Sequence, residues 1–277
     1  MIMKKWKPKF VTKFKVAALV LASASPVIFA TGSAFAFSNS YGTLVTKNDG
    51  VGASYEDNEV EPGMQTGQGW DLEGFFISSN LKNLTIVGGY NFYNGFGSPN
   101  MKAGDIFIDT NKDAVYSPNT IAPPFNYNPG YREVSNSDFK YDYVLDIDWA
   151  SGKYDIVKLD GDSVLQDTEY GAQYNKPSNP WKYVSGGEAV ATDLTFNNYG
   201  EASQSNTGFA GWGNNNHYVA TFGLDGIKLG ELNTLQNTME CGNDVLIGQF
   251  PVPEPVTLLL FGTGLVGLAG FVRRKKD

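Results

Sequence analysis

Hydrophobic and polar residues alternate with period two along much of the central chain. The clearest stretch is Tyr141-Asp142-Tyr143-Val144-Leu145-Asp146-Ile147-Asp148-Trp149. Its odd positions are all aromatic or aliphatic; its even positions are Asp, Val, Asp and Asp. This pattern predicts a strand with one buried face and one acidic face in water. Residues 72–77, 84–90, 105–109, 154–159, 163–166 and 218–224 are further predicted strands. Asp160-Gly161 and Asp225-Gly226 carry the hairpin signature. Residues 229–239 have room for a short helix at most. Residues 117–132, 174–182 and 197–216 are rich in proline, glycine or asparagine and are predicted as surface loops. Many short strands without a long 3.6-residue stripe predict an all-β fold, an antiparallel β-sandwich or jelly roll spanning residues 37–252.

The two ends break this pattern. Six lysines (4, 5, 7, 9, 13 and 15) precede the apolar run Val16-Ala17-Ala18-Leu19-Val20-Leu21-Ala22, and Ala34-Phe35-Ala36 follows. A basic start, an apolar middle and small residues at Ala34 and Ala36 predict a signal peptide over 1–36, cut by signal peptidase after Ala36. At the other end, residues 256–272 form an uncharged run of 17 residues, the short end of what spans a bilayer. Arg273-Arg274-Lys275-Lys276 follows at once. The pattern predicts a transmembrane helix with a cytoplasmic basic tip and the bulk of the chain outside the inner membrane.

Pro253-Glu254-Pro255 stands just before this span. Two prolines hold an extended segment that cannot continue a helix. The order Pro253-Glu254-Pro255, apolar span, then Arg273-Arg274 resembles the PEP-CTERM sorting signal. That resemblance implies recognition by an exosortase, a membrane cysteine protease-transpeptidase of Gram-negative bacteria that make exopolysaccharide. It implies processing near the Pro-Glu-Pro, a transient stay in the inner membrane, and delivery to the cell surface or extracellular matrix. The central chain is similar, more diffusely, to carbohydrate-binding and dockerin-associated β-sandwich modules. The similarity lies in Trp70-Asp71-Leu72-Glu73-Gly74-Phe75-Phe76, Leu84-Thr85-Ile86-Val87-Gly88-Gly89-Tyr90, Gly104-Asp105-Ile106-Phe107-Ile108-Asp109 and Met239-Glu240-Cys241-Gly242-Asn243-Asp244. It implies a fold and a location.

Charge separates the same three parts. The whole chain carries 21 cations and 29 acids, a net charge of −8. Removing the six N-terminal and four C-terminal cations, and the acids Glu254 and Asp277, leaves 11 cations and 27 acids in residues 37–252, a net charge of −16. A centre this acidic excludes a nucleic-acid binder, which must neutralise phosphates. One cysteine and one histidine exclude an intrachain disulfide framework and leave little for His-dependent triads or zinc.

Three chemistries remain. Asp109-Thr110-Asn111-Lys112-Asp113 places oxygen ligands at i, i+2 and i+4, the spacing with which a loop curls around Ca²⁺. Asp105, Asp71 or Glu73 from neighbouring strands are the expected completing ligands, although the sixth-position glycine and twelfth-position glutamate of the full loop are missing. Asp142, Asp146 and Asp148 form a second acidic row, expected to serve solubility and edge protection. Trp70, Trp181 and Trp212, with Tyr183 and Tyr199, sit in Gly/Asn-rich segments and are candidate platforms for sugar rings. The leading expectation is an exported, non-enzymatic surface or matrix protein associated with exopolysaccharide or biofilm. The alternatives are a Ca²⁺-dependent carbohydrate-binding module and a polysaccharide hydrolase working through carboxylates such as Asp71 and Glu73.

Overall fold

In the computed structural model the described residues are 38–46, 67–115, 131–168, 179–209 and 216–252. Their strands, in chain order, are β1 (Ser38–Asn39), β2 (Gly42–Leu44), β3 (Gly74–Ile77), β4 (Asn83–Gly88), β5 (Ala103–Asp109), β6 (Tyr131–Ser135), β7 (Tyr143–Asp148), β8 (Lys153–Lys158), β9 (Val164–Thr168), β10 (Lys182–Ser185), β11 (Glu188–Thr195), β12 (Asn197–Ser203), β13 (Asn216–Gly223), β14 (Leu232–Met239) and β15 (Val245–Pro251). Two single-turn helices, α1 (Asn136–Phe139) and α2 (Gln204–Thr207), follow β6 and β12. The first sheet runs β1-β2-β3-β4-β13-β12 and the second β11-β8-β7-β5-β14-β15. A third, small sheet runs β10-β9-β6. All of these pairings are antiparallel.

The period-two pattern is what stacks these layers. Phe75, Ile77, Leu84, Ile86, Ala220 and Phe222 from the first sheet meet Ile106, Ile108, Leu145, Ile147, Ile156, Leu235 and Phe250 from the second in one core. Each large apolar side chain buried there contributes about 1.5–3 kcal/mol relative to exposure. The intervening positions are not all left to water. Phe107, Val144 and Val157 point away from that core and join Val134, Phe139, Tyr141 and Leu165 in a second cluster under the third sheet. Phe76, Val87 and Val219 similarly meet Leu44, Ala202 and Phe209 on the far side of the first sheet. The expected acidic open face of β7 is therefore half covered, and Val144, the one apolar even position, marks where.

The third sheet docks through glycine. A Cβ on Gly104 would run into the backbone carbonyls of Trp181 and Thr238. Only hydrogen at that position lets the Asp105 N–H reach the Trp181 carbonyl, at 2.7 Å. At the β15 edge of the second sheet, Gln249 N–H donates to the Val45 carbonyl at 2.7 Å, and Thr46 bridges Gly248. This joins the two large sheets and covers the outer edge of β15.

Four expectations change. Asp160-Gly161 does turn the chain, but β8 and β9 lie in different sheets, so the turn is a crossover and not a hairpin. Asp225-Gly226 likewise precedes a crossing from β13 in the first sheet to β14 in the second. Residues 229–239 form no helix: Leu232–Met239 is β14, held between β5 and β15. Its polar side chains are buried, and Asn237 Nδ2 donates to both the Gly104 and Asp105 carbonyls at 2.9 Å. A central position supplies partners for much of this polarity, Gln236 Nε2 also donating to the Thr238 hydroxyl, while Gln236 Oε1 and Asn237 Oδ1 are buried without one among the described residues. Residues 197–216 are no simple loop, since they contain β12, α2 and the first residue of β13.

Candidate functional site

Asp109, Asn111 and Asp113 fall in one turn at the end of β5. Asp109 Oδ1 accepts the N–H groups of Asn111 and Lys112 at 3.0 and 2.9 Å. Asn111 Oδ1 accepts the Asp113 N–H at 2.9 Å. Asp142 Oδ2 accepts both the Thr110 N–H and hydroxyl at 2.7 Å, and Asp142 Oδ1 accepts Asn111 Nδ2. These oxygens brace the turn through the backbone, the ordinary work of Asp and Asn in turns. The remaining expected ligands lie elsewhere. Asp105 stands four residues back along β5, about 13 Å away at the rise of a strand. Asp71 precedes β3, where its carbonyl accepts the Gly89 N–H. Among the described residues no three His, Cys, Asp or Glu side chains group as ligands for a metal ion.

Asp105 belongs to a different arrangement. Its Oδ1 accepts the Ile147 N–H at 2.9 Å and its Oδ2 accepts the Tyr183 N–H at 2.7 Å. One carboxyl thus ties β5 to β7 and to β10. Burial, reinforced by nearby Asp146, pushes its pKa up to about 8 against the pull of those two N–H donors and of Lys182. Beside it opens a groove of 460 Å³ lined by Asp146, Asp148, Lys153, Asp155, Lys182 and Asp193, among others. Asp146 and Asp155 stand directly opposite each other in the β7–β8 register. Burial raises the Asp146 pKa, Lys182 opposes this, and Asp155 and Asp148 add to it. The Ser151 hydroxyl and the backbone N–H groups of Ser151 and Ala150 hold Asp148 below its ordinary range. Lys153 pairs with Asp193, whose N–H donates to Asp155 Oδ1.

The candidate catalytic carboxylates Asp71 and Glu73 are buried, and so is the sole histidine, His217. His217 Nε2 lies 2.8 Å from Glu73 Oε1, and Glu73 also accepts from Gln68 Nε2. Asp71 is buried next to Leu72, whose N–H donates to Asp244. Cys241 is a buried thiol whose pKa burial pushes up to about 12. Of the tryptophans, Trp70 packs edge-on against Phe96 at 5.1 Å and serves the core. Trp181 is half-buried, lies against Tyr131 at 5.4 Å and carries the Lys182 ammonium 5.7 Å above its ring. Trp212 lies outside the described residues. Tyr183 is held by its N–H to Asp105 and its hydroxyl to the Gly186 carbonyl, whereas Tyr199 is exposed. Tyr93, Tyr131 and Asn91 carry no sequence signal that sets them apart, and only the fold gathers them beside Tyr199 and Trp181.

The last strand ends where the predicted sorting segment begins. Leu232 pairs with Pro251, and the Val252 N–H donates to the Glu231 carbonyl at 3.0 Å. Residues 251–275 match the PEP-CTERM protein-sorting motif. The PEP-CTERM motif marks an exported protein, handled by an exosortase and sent to the cell surface. The match contains Pro253, Glu254, Pro255, Arg273 and Arg274, which, like Ala34 and Ala36 of the predicted signal peptide, lie outside the described residues. Among the described residues no helix is long and apolar enough to cross a membrane. The chain matches no curated protein and no solved structure.

Proposed function

We propose that this is a non-enzymatic surface or matrix protein that the exosortase system delivers into the cell's own exopolysaccharide. The observation that carries the reading is the seam at Pro251. The last ladder pair of the sandwich and the first residue of the PEP-CTERM motif coincide there. Cleavage near Pro253 would therefore release or attach the whole sandwich without removing any strand. The sole histidine and the sole cysteine support a role without catalysis, because one is buried against Glu73 and the other is a buried neutral thiol. Histidine- or cysteine-based catalysis needs those groups at hydrogen-bonding distance from a substrate.

The test has two arms. Mass spectrometry of the secreted protein should find a C-terminus near Pro253; a mature form that still ends at Asp277 in cells with an exosortase defeats the sorting claim. Fractionation should place the mature protein in the extracellular matrix, and deletion of polysaccharide synthesis should shift it to the medium. An unchanged distribution in that strain defeats the association with exopolysaccharide.

A further inference from the structure

The described residues include three exposed tyrosines, Tyr93, Tyr131 and Tyr199, at 43, 44 and 38% exposure. They come from separate elements: Tyr93 from the segment between β4 and β5, Tyr131 from the start of β6, and Tyr199 from β12. One chain of contacts nevertheless connects them. The Tyr199 hydroxyl donates to Asn91 Oδ1 at 3.1 Å and accepts the Tyr93 N–H at 3.1 Å. The Lys102 ammonium sits 5.1 Å from the centre of the Tyr93 ring. The Lys102 N–H donates to Glu240 Oε2 at 3.0 Å, and the Tyr131 hydroxyl donates to Glu240 Oε1. Tyr131 lies against Trp181, which carries Lys182. Beyond Tyr199, Tyr218 donates to Glu201, its direct partner across β12 and β13.

The result is an aromatic strip from Trp181 through Tyr131 and Tyr93 to Tyr199, with polar side chains along its length. The contacts hold each ring by its hydroxyl, its backbone or a neighbouring cation, so the rings are fixed before anything binds and lose little freedom on binding. The partly exposed rings of Tyr93, Tyr131 and Tyr199, the last backed by Trp149 and Phe196, stand beside amide, carboxylate and ammonium groups and match a sugar chain, which offers apolar C–H faces and hydroxyls in alternation. Four rings from separate segments, linked by successive contacts, suit an extended chain better than a single sugar. Two acids (Glu201, Glu240) and two lysines (Lys102, Lys182) leave the strip without net charge, while residues 37–252 as a whole, at −16, repel polyanions.

We infer that this strip is a binding site for an extended, uncharged polysaccharide. It rests on the proposed surface function and gives that function a glycan class and a site. The metal-loop residues take no part in it, and of the two described tryptophans picked out by sequence Trp181 belongs to it and Trp70 serves the core.

Affinity electrophoresis of the secreted full-length mature protein tests it, with hydroxyethyl cellulose, laminarin and galactomannan as uncharged probes and alginate as the anionic one. Retardation is expected with at least one uncharged probe and none with alginate. Tyr93→Ala and Tyr131→Ala should each weaken the interaction about tenfold, the effect of losing one stacked ring, whereas Tyr131→Phe should keep most of it. The thermal midpoints of the variants confirm folding, since the replaced side chains are exposed. Binding that survives both alanine variants overturns the site but leaves the matrix role standing. A wild type that ignores every uncharged probe, or prefers alginate, overturns the inference, and the matrix fractionation then decides separately whether the broader function falls with it.

Discussion

His217 Nε2 lies 2.8 Å from Glu73 Oε1, and both side chains are sealed from solvent inside the first sheet. The two residues are 144 positions apart. β13 beside β4, and the Glu73 N–H bonded to the Val87 carbonyl at 2.9 Å, bring them together. Replacing the imidazole with an apolar side chain deprives a buried carboxyl of a partner, at a cost of about 3 kcal/mol. His217→Leu should therefore lower the urea midpoint markedly, and His217→Gln, which can still donate to Glu73, should lower it less. Equal midpoints for His217→Leu and the parent would show that the pair contributes nothing to the fold.

Asp105 makes stability depend on pH in an unusual direction. Its pKa rises from the ordinary 3.8 to about 8 in the folded protein. Between those values the folded state keeps a proton that the unfolded state has lost. Stability must then fall as pH rises from about 4 to about 8 and level off above that. Other carboxylates titrate at the acid end, so the informative comparison is with Asp105→Asn. That variant loses an acceptor for either Ile147 or Tyr183, costs about 1–3 kcal/mol at pH 5, and should lack the downward slope between pH 6 and 8. Asp146→Asn, which removes a neighbouring negative charge, should bring the upper limit of the slope to lower pH. Parallel pH–stability curves for the parent and Asp105→Asn would refute this account.

Gly104 is the hinge point of the third sheet's attachment. Because a Cβ there meets only backbone carbonyls, of Trp181 and Thr238, no side chain can rotate out of its way. Gly104→Ala should cost at least about 1–3 kcal/mol, as other overpacking changes do. Hydrogen exchange should rise first in β9 and β10, whose link to β5 runs through the Asp105 N–H and the Trp181 carbonyl. Faster exchange confined to β14, with β9 and β10 unchanged, would place the strain on Thr238 instead.

Each predicted strand falls within two residues or so of an observed one. Residues 141–149 became β7 because apolar side chains at every second position have one way to be buried, and residues 105–109 became β5 because the consecutive Ile106, Phe107 and Ile108 need a strand covered on both faces. β14 was hidden because Asn233, Gln236, Asn237 and Thr238 are buried through hydrogen bonds, which leave no hydrophobic period. The third sheet was hidden for another reason. Asp160-Gly161 specifies a turn but not which sheet the chain enters next, and that choice belongs to Phe107, Val144 and Leu165 meeting far from one another in sequence. Candidate sites divide the same way. Local motifs such as Asp109-Asn111-Asp113 are easy to see, and here their oxygens serve the turn itself. The tyrosine strip has no local motif, since four separate segments build it.

The PEP-CTERM seam makes the last prediction. β15 pairs with β14 over seven positions, from Thr238 with Val245 to Leu232 with Pro251, and its Phe250 is buried in the main core. The motif shares only Pro251 and Val252 with the described residues. A chain exported with a stop after Val252 should accumulate as a folded, protease-resistant protein with the same thermal midpoint as the naturally processed form. A stop after Asp244 deletes β15, uncovers β14 along its whole length and removes Phe250, whose loss alone is worth about 3–5 kcal/mol. That shorter chain should be degraded or aggregate. Limited proteolysis and thermal melting of the two truncations separate the cases: a folded product from the shorter chain would mean that β15 is an accessory strand, and an unstable product from the longer one would mean that residues beyond Val252 belong to the fold as well as to the sorting signal.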